Sequence, residues 1–540
     1  MDLAPVECRK SLDQLLEQAM AERSREDDGV VEVTYEMTGS QCDEGGRRKL
    51  RPKPSNEDAS SNSKDKEGDE EDEDTIGSIR LEKKAIRNAI ILSMATIFLS
   101  SGFFTLQSLQ SSLFQETGLQ SLAILYIFAS ISCMYAPIIV QKVEVKGTIA
   151  TVSLLLLLYI IAFHYYNRAS WIAISFVLGL GFGPMVRAQK TYLSRNISRL
   201  SYVTQVMRTK IQQRYLRYFF FISKSSYFWG HLVATIIMEF TGSVDDMPLN
   251  ATESPTTVVR HTELCYERLC KDEVHPMDRD SMMNQISLDN SMPRYMSKIF
   301  VYVFASCIAL GALMVVVGLE RIEVLYEQDP MERPLIHQTI RQIKLILIDK
   351  NVRLTLPMLI FIGIEQAFIF GDFTRAYISC ALGLQSVAFT MTCFGGAHTL
   401  GSIGVNLFSQ HFQRPIIMAA GLVCQSGLLM VLWLWTPDRD DAAVFYVIAG
   451  GWGLCNAMWE TLTLTFIHTT YPDDWTAPFC TYYQMQWLGM GLTFAVSPYL
   501  CAEVKILILA MFLAVAIIPY SILEFRLHQR TLLQDRTEML

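Results

Sequence analysis

Gly118-Leu119-Gln120-Ser121-Leu122-Ala123 and Gly383-Leu384-Gln385-Ser386-Val387-Ala388 agree at five of six positions. Each sits at the bend between two long apolar stretches. The first hairpin runs from about Ala85 to Val140, the second from about Leu354 to Val405. Each joins the first two apolar stretches of one half of the chain. The halves therefore read as parallel repeats, a symmetry found among transporter-type membrane folds.

Outward from these bends, further stretches have the length of about 20 apolar residues that crosses a bilayer. They fall near 88–109, 119–140, 148–166, 170–190, 216–239 and 298–319 in the first half. The second half has them near 354–374, 384–408, 415–435, 442–467, 479–499 and 504–524. The expectation is an all-α membrane protein with twelve transmembrane helices in two six-helix halves. Residues 1–84 read as a disordered acidic tail, with an unbroken acidic run from Asp69 to Asp74. Residues 85–240 carry helices one to five, and 241–297 form an outer loop. Residues 298–353 hold helix six and a central loop, 354–525 the second half, and 526–540 a short tail.

Composition agrees with this reading. Of 540 residues, 51% are hydrophobic and only 19% charged, below the roughly 25% charge of soluble domains. The formal net charge of −8 mixes an acidic tail with basic loops. Lys142, Lys146, Lys190, Arg195, Arg208, Lys210, Arg321, Lys344 and Arg526 all fall on one side of a twelve-span arrangement. The positive-inside rule makes that side, and both termini, cytoplasmic. The opposite side takes the outer loop with the sequon Asn250-Ala251-Thr252, so Asn250 is the expected glycosylation site. Asn196-Ile197-Ser198 lies on the basic side and should stay unmodified. Cys265 and Cys270 share the outer loop and form the expected local disulfide, with Cys501 as a competitor.

No pattern suggests catalysis, a cofactor or a metal. Gly179-Leu180-Gly181-Phe182-Gly183-Pro184 follows no strand and reads as close helix packing with a proline bend. Tyr215 to Phe221 reads as an aromatic belt at the membrane interface, not a nucleic-acid surface.

Charges inside the spans are the informative positions, because hydrocarbon tolerates them only when they face a cavity or a partner. Glu365 lies mid-span beside Gln366, and Asp372 follows at i+7 on the same helical face. Arg375 is placed to pair with Asp372. Lys224, Glu460 and Arg187 are the other candidates; Arg187 can also snorkel to the interface. Two readings of Glu365 stand. In one it is a protonatable or cation-binding group of a central cavity, with Glu460 and Arg187 nearby. In the other it forms a buried ion pair with Lys224 that fixes the two halves. His231 and His398 read as packing residues.

Several stretches together carry a family resemblance. They are Gly102-Phe103-Phe104-Thr105-Leu106-Gln107-Ser108-Leu109-Gln110-Ser111-Ser112-Leu113, Lys146-Gly147-Thr148-Ile149, Ala188-Gln189-Lys190-Thr191-Tyr192-Leu193, and Trp229-Gly230. The chain resembles the Unc-ninety-three family, a branch of the major facilitator superfamily, over about Ala85 to Phe525. The resemblance implies a facilitator fold whose spans one, four, seven and ten line a cavity. Gln107, Gln110, Arg187, Glu365 and Glu460 would then stand on cavity-forming helices. Arg187 occupies a position where the family usually has a small residue. The loop Val140 to Gly147 lacks the Gly-x-x-x-Asp-Arg motif of active facilitators.

The resemblance implies a non-enzymatic regulator of a potassium channel, the two-pore-domain type foremost, in the plasma membrane. Contact between helices in the bilayer would use small residues such as Gly179, Gly183, Gly395, Gly396 and Gly401. The alternatives are a secondary transporter of a small solute, or an endosomal trafficking chaperone for a membrane receptor.

Overall fold

The computed structural model describes residues 64–242, 294–322 and 344–538, apart from positions 166, 205, 345–347, 410, 436 and 472–474. Asn250, Cys265 and Cys270 lie outside the described residues. One of two structural units, Glu70–Leu540, holds nearly everything described. Among the described residues all regular structure is helical. That is the expected solution for a chain in lipid, where every backbone N–H and C=O must be satisfied within the segment.

The helices are α1 (Lys64–Val143), α2 (Val145–His164), α3 (Arg168–Thr204), α4 (Arg208–Lys224), α5 (Ser226–Gly242) and α6 (Arg294–Leu313). α6 ends in a π-helical turn, Met314–Gly318. The second half has α7 (Lys350–Leu382), α8 (Leu384–Phe408), α9 (Arg414–Leu434), α10 (Ala442–Thr470), α11 (Thr476–Val496) and α12 (Ala502–Glu538). Nine segments among the described residues are long and apolar enough to cross a membrane, two of them, Ile79–Phe114 and Glu116–Val143, within α1. The stretch read as the fifth span is split at Ser225 into two helices of 17 residues, and those read as the eighth and eleventh are helical but are not among the nine. They pack inside the bundle: α8 against α5 and α10, and α11 against α7.

α1 doubles back on itself. Tyr126 Oη donates to Gln107 Oε1 at 2.7 Å, although 19 residues of straight helix would separate them by about 28 Å. Gln110 donates to Ser121 and to the Gly118 carbonyl. A side chain at Gly118 would strike the Gln110 carbonyl, 2.3 Å from where its Cβ would stand. The second bend uses its glycine differently. Gly383 closes α7 with φ 85°, a conformation that other residues rarely adopt.

Two seams join the halves. A Cβ on Gly395 of α8 would stand 2.6 Å from the Phe228 nitrogen of α5. A Cβ on Gly491 of α11 would stand 2.7 Å from the side chain of Ile127, on the second pass of α1. Gly179 and Gly183 likewise lie against the backbone of that pass, and Gly401 against α10. The small residues expected to meet a partner are thus largely used for internal packing. The glycine-rich stretch of α3 does the helix-packing job expected of it.

Other differences from the sequence reading are local. The acidic run Asp69 to Asp74 lies within α1, which begins at Lys64. The basic stretch after the fourth span is not a loop, because α3 continues to Thr204 and α4 starts at Arg208. Asn196 is buried there and donates to the Ala85 carbonyl at 2.7 Å. The fifth span breaks at Ser225, between α4 and α5. At the basic end, Arg87 pairs with Glu320, and Lys146 donates to the Leu319 carbonyl at 2.8 Å. At the far end Cys380 is disulfide-bonded.

Candidate functional site

The charged residues of the spans collect where the two halves meet. α4 ends at Lys224, one residue before the break at Ser225, so its ammonium points across the seam. It meets Glu460 of α10, with Nζ at 2.8 Å from Oε1 and 2.7 Å from Oε2. Glu460 is 2% exposed. Its Oε1 also accepts from Gln366 at 2.9 Å and Gln486 at 3.3 Å. Its Oε2 lies 3.2 Å from His398 Nε2. Gln486 in turn donates to Gln366 Oε1 at 2.8 Å. One carboxylate thus gathers α4, α7, α8, α10 and α11.

This geometry overturns the pairing of Lys224 with Glu365. It also takes His398 out of plain packing and makes it a neighbour of the buried carboxylate. His231 is the packing residue expected, held between Ser108 Oγ at 2.8 Å and the Tyr227 carbonyl at 2.7 Å.

Glu365 is fully buried, and neither of its carboxylate oxygens has a hydrogen-bond partner among the described residues. The Asn456 amide and Trp452 indole of α10 lie beside it. Asn456 Nδ2 and Trp452 Nε1 also lack a completed hydrogen bond. Asp372 does not share this environment. Seven residues on, it meets Lys505 Nζ of α12 at 2.6 Å and accepts from Ser497 at 2.6 Å. Arg375 stands farther off, at 4.0 Å. The i+7 argument failed because Phe368–Ile378 is π-helical. Each π residue turns the helix through a smaller angle than an α residue, so the face drifts.

A cavity of ≈140 Å³ lies between the halves. Gln107 lines it, as expected, and so do Lys190, Lys224, Gln366 and Gln486. Most of the rest is apolar, including Phe182, Phe220, Tyr227 and Trp487. Helix α11 supplies the part of the wall that the family pattern assigned to the tenth span. Gln110 is elsewhere, accepting from Tyr159 of α2 at 2.7 Å. Arg187 does not line the cavity, and its buried Nη1 has no hydrogen-bond partner among the described residues. A second cavity, ≈250 Å³, opens toward the basic end and is lined by Arg217, Arg414, Glu460 and His468. Lys224 belongs to both walls.

Lys190 is one residue that sequence reasoning missed. It is 2% exposed. Its ammonium sits 4.4 Å and 4.2 Å from the ring centres of Phe219 and Phe220. Phe479 and Tyr483 add longer contacts, at 5.8 Å and 5.9 Å. Part of the aromatic run assigned to the membrane interface therefore turns inward. No carboxylate among the described residues pairs with Lys190. A desolvated cation over a ring gains about 2 kcal/mol, whereas removing an ammonium from water costs several kcal/mol. The rings offset only part of that cost. The available signal was the unbroken run Ala188 to Leu193, which has no glycine or proline to end the helix.

Comparison with known proteins places this geometry in a family. Residues 110–520 match the model described as ion channel regulatory protein UNC-93. The unc-93 homolog A of Bos taurus is 28% identical over 450 residues, covering 82% of this chain and 93% of that protein. A Caenorhabditis elegans protein, provisionally named as the potassium channel regulatory protein unc-93, is 24% identical over 453 residues. It is matched over 82% of this chain and 62% of its own length. Among solved structures, a major facilitator superfamily transporter, FucP, in the outward conformation superposes with a TM-score of 0.50 at 13% identity. That match covers 81% of this chain and 98% of the transporter. The chain is a multi-pass membrane protein of the major facilitator fold and belongs to the UNC-93 family.

Proposed function

We propose that this protein is a non-enzymatic regulatory subunit that binds a potassium channel in the bilayer and tunes its current. The observation that carries the proposal is the family match over residues 110–520, together with the name given to the C. elegans relative. The Lys224–Glu460 pair supports it, because a fully partnered charge joins the two halves and favours one fixed arrangement. In this reading the chain lies in the plasma membrane with both termini cytoplasmic. The outer loop with Asn250 faces outward, and the channel is of the two-pore-domain type.

Voltage clamp tests the proposal. Cells expressing a two-pore-domain potassium channel are compared with and without this protein, and the protein alone is the control. A change in current only on co-expression is expected. Unchanged current, with no channel co-purifying from native membranes, refutes the subunit role.

One observation favours a second reading, a secondary transporter of a small solute. Glu365 is a buried carboxyl group with no completed hydrogen bond among the described residues, the kind of group that can take up a proton or cation during a transport cycle. Glu365→Gln should then abolish pH-dependent uptake into vesicles. Unchanged uptake removes Glu365 as the coupling site.

A further inference from the structure

We propose that the central cavity binds a small amphipathic organic carboxylate, with its anionic group on Lys190 and its apolar body against the aromatic wall. The inference goes beyond channel regulation and does not depend on it. Charge is the first argument. Two ammonium groups, Lys190 and Lys224, line the cavity. The neighbouring carboxylate, Glu460, is committed to Lys224, His398, Gln366 and Gln486. That leaves the Lys190 amine in the cavity wall without an anion among the described residues.

The shape of the wall is the second argument. Phe219, Phe220, Phe479 and Tyr483 hold the Lys190 amine, and Lys190 also contributes to the cavity surface. An amine fixed by rings at the edge of a cavity is preorganised for an anion in a low-dielectric setting. The rest of the wall fits an apolar body. Phe182, Trp487 and Met490 form ring and thioether surface, and Gln107 adds a polar edge. A volume of ≈140 Å³ suits a molecule of one ring and excludes a whole phospholipid. A cationic ligand is disfavoured by both lysines, and a neutral one leaves Lys190 uncompensated.

The test uses the full chain in detergent, with benzoate as probe and benzamide and benzylamine as neutral and cationic analogues of the same shape. Benzoate should raise the melting temperature and quench Trp487 in a saturable way, while the two analogues do neither. Lys190→Gln should weaken benzoate binding at least tenfold, and Lys190→Arg should retain it. The melting temperature of each variant without ligand reports whether it is folded. Should Lys190→Gln not fold, the wild-type comparison of benzoate with benzamide decides alone. Equal effects of benzoate and benzamide overturn the proposal, as does no effect of benzoate at millimolar concentration. Binding of oleate but not benzoate also overturns it, because that would place the anion in the membrane phase.

Discussion

Glu460 and Glu365 are two buried carboxylates in the same half of the molecule, with opposite surroundings. Glu460 is met by a lysine, a histidine and two glutamine amides. Glu365 has no hydrogen-bond partner among the described residues. The difference teaches that depth in the bilayer does not define a role. An ion enclosed by partners from four other helices ties those helices together. A buried carboxyl group left without them is a cost that the fold carries, and such costs gather where function lies.

The largest effect that would break this comparison is at Glu460. Glu460→Gln leaves the Lys224 ammonium buried without its anion. Thermal unfolding in detergent should show a loss of about 3–5 kcal/mol. The double variant Lys224→Met/Glu460→Met removes both charges and should recover most of that loss. If the single variant is as stable as wild type, Glu460 does not join the halves. Glu365→Gln sharpens the contrast from the other side. It replaces an unpartnered carboxylate with a neutral group of the same shape, so melting should stay within about 1 kcal/mol of wild type or improve. A loss as large as that at Glu460 would mean that Glu365 also has a structural partner.

The smallest effect is at the basic end. Tyr471 donates to Asp349 at 2.7 Å, and Asp349 caps α7 by accepting from the Asn351 nitrogen at 2.8 Å. Burial and the adjacent carboxylate raise the Tyr471 phenol above its ordinary range. Tyr471→Phe should cost about 1 kcal/mol, read as a small drop in melting temperature. The phenol stays protonated across neutral pH. Its contribution is therefore constant below the ordinary tyrosine range and declines only as alkaline pH favours its ionisation in the unfolded chain.

Much of this was legible in the sequence. The paired hairpins, the all-helical class and the intramembrane charges at Lys224, Glu365, Asp372 and Glu460 follow from apolar length and the rarity of charge in hydrocarbon. Their pairing does not follow. Sequence gives depth along a helix but neither which way each helix is turned nor which neighbour it meets. Depth alone therefore pairs Lys224 with Glu365. Lys190 was hidden because the apolar stretch ends near it while the helix does not. Lys505 was missed for a similar reason: it stands near the start of α12, where a lysine reads as an interfacial anchor. Asp372 was misplaced by π-helical geometry that no residue pattern announces.

The position of Lys224 in both cavity walls has one further consequence. The two chambers share Phe220 and Lys224, and Glu460 holds the Lys224 ammonium from the side of the second chamber. A solute crossing at Lys224 must loosen that pair, and both ions must then find substitutes at the same moment. The toll falls on every crossing, whatever the cargo.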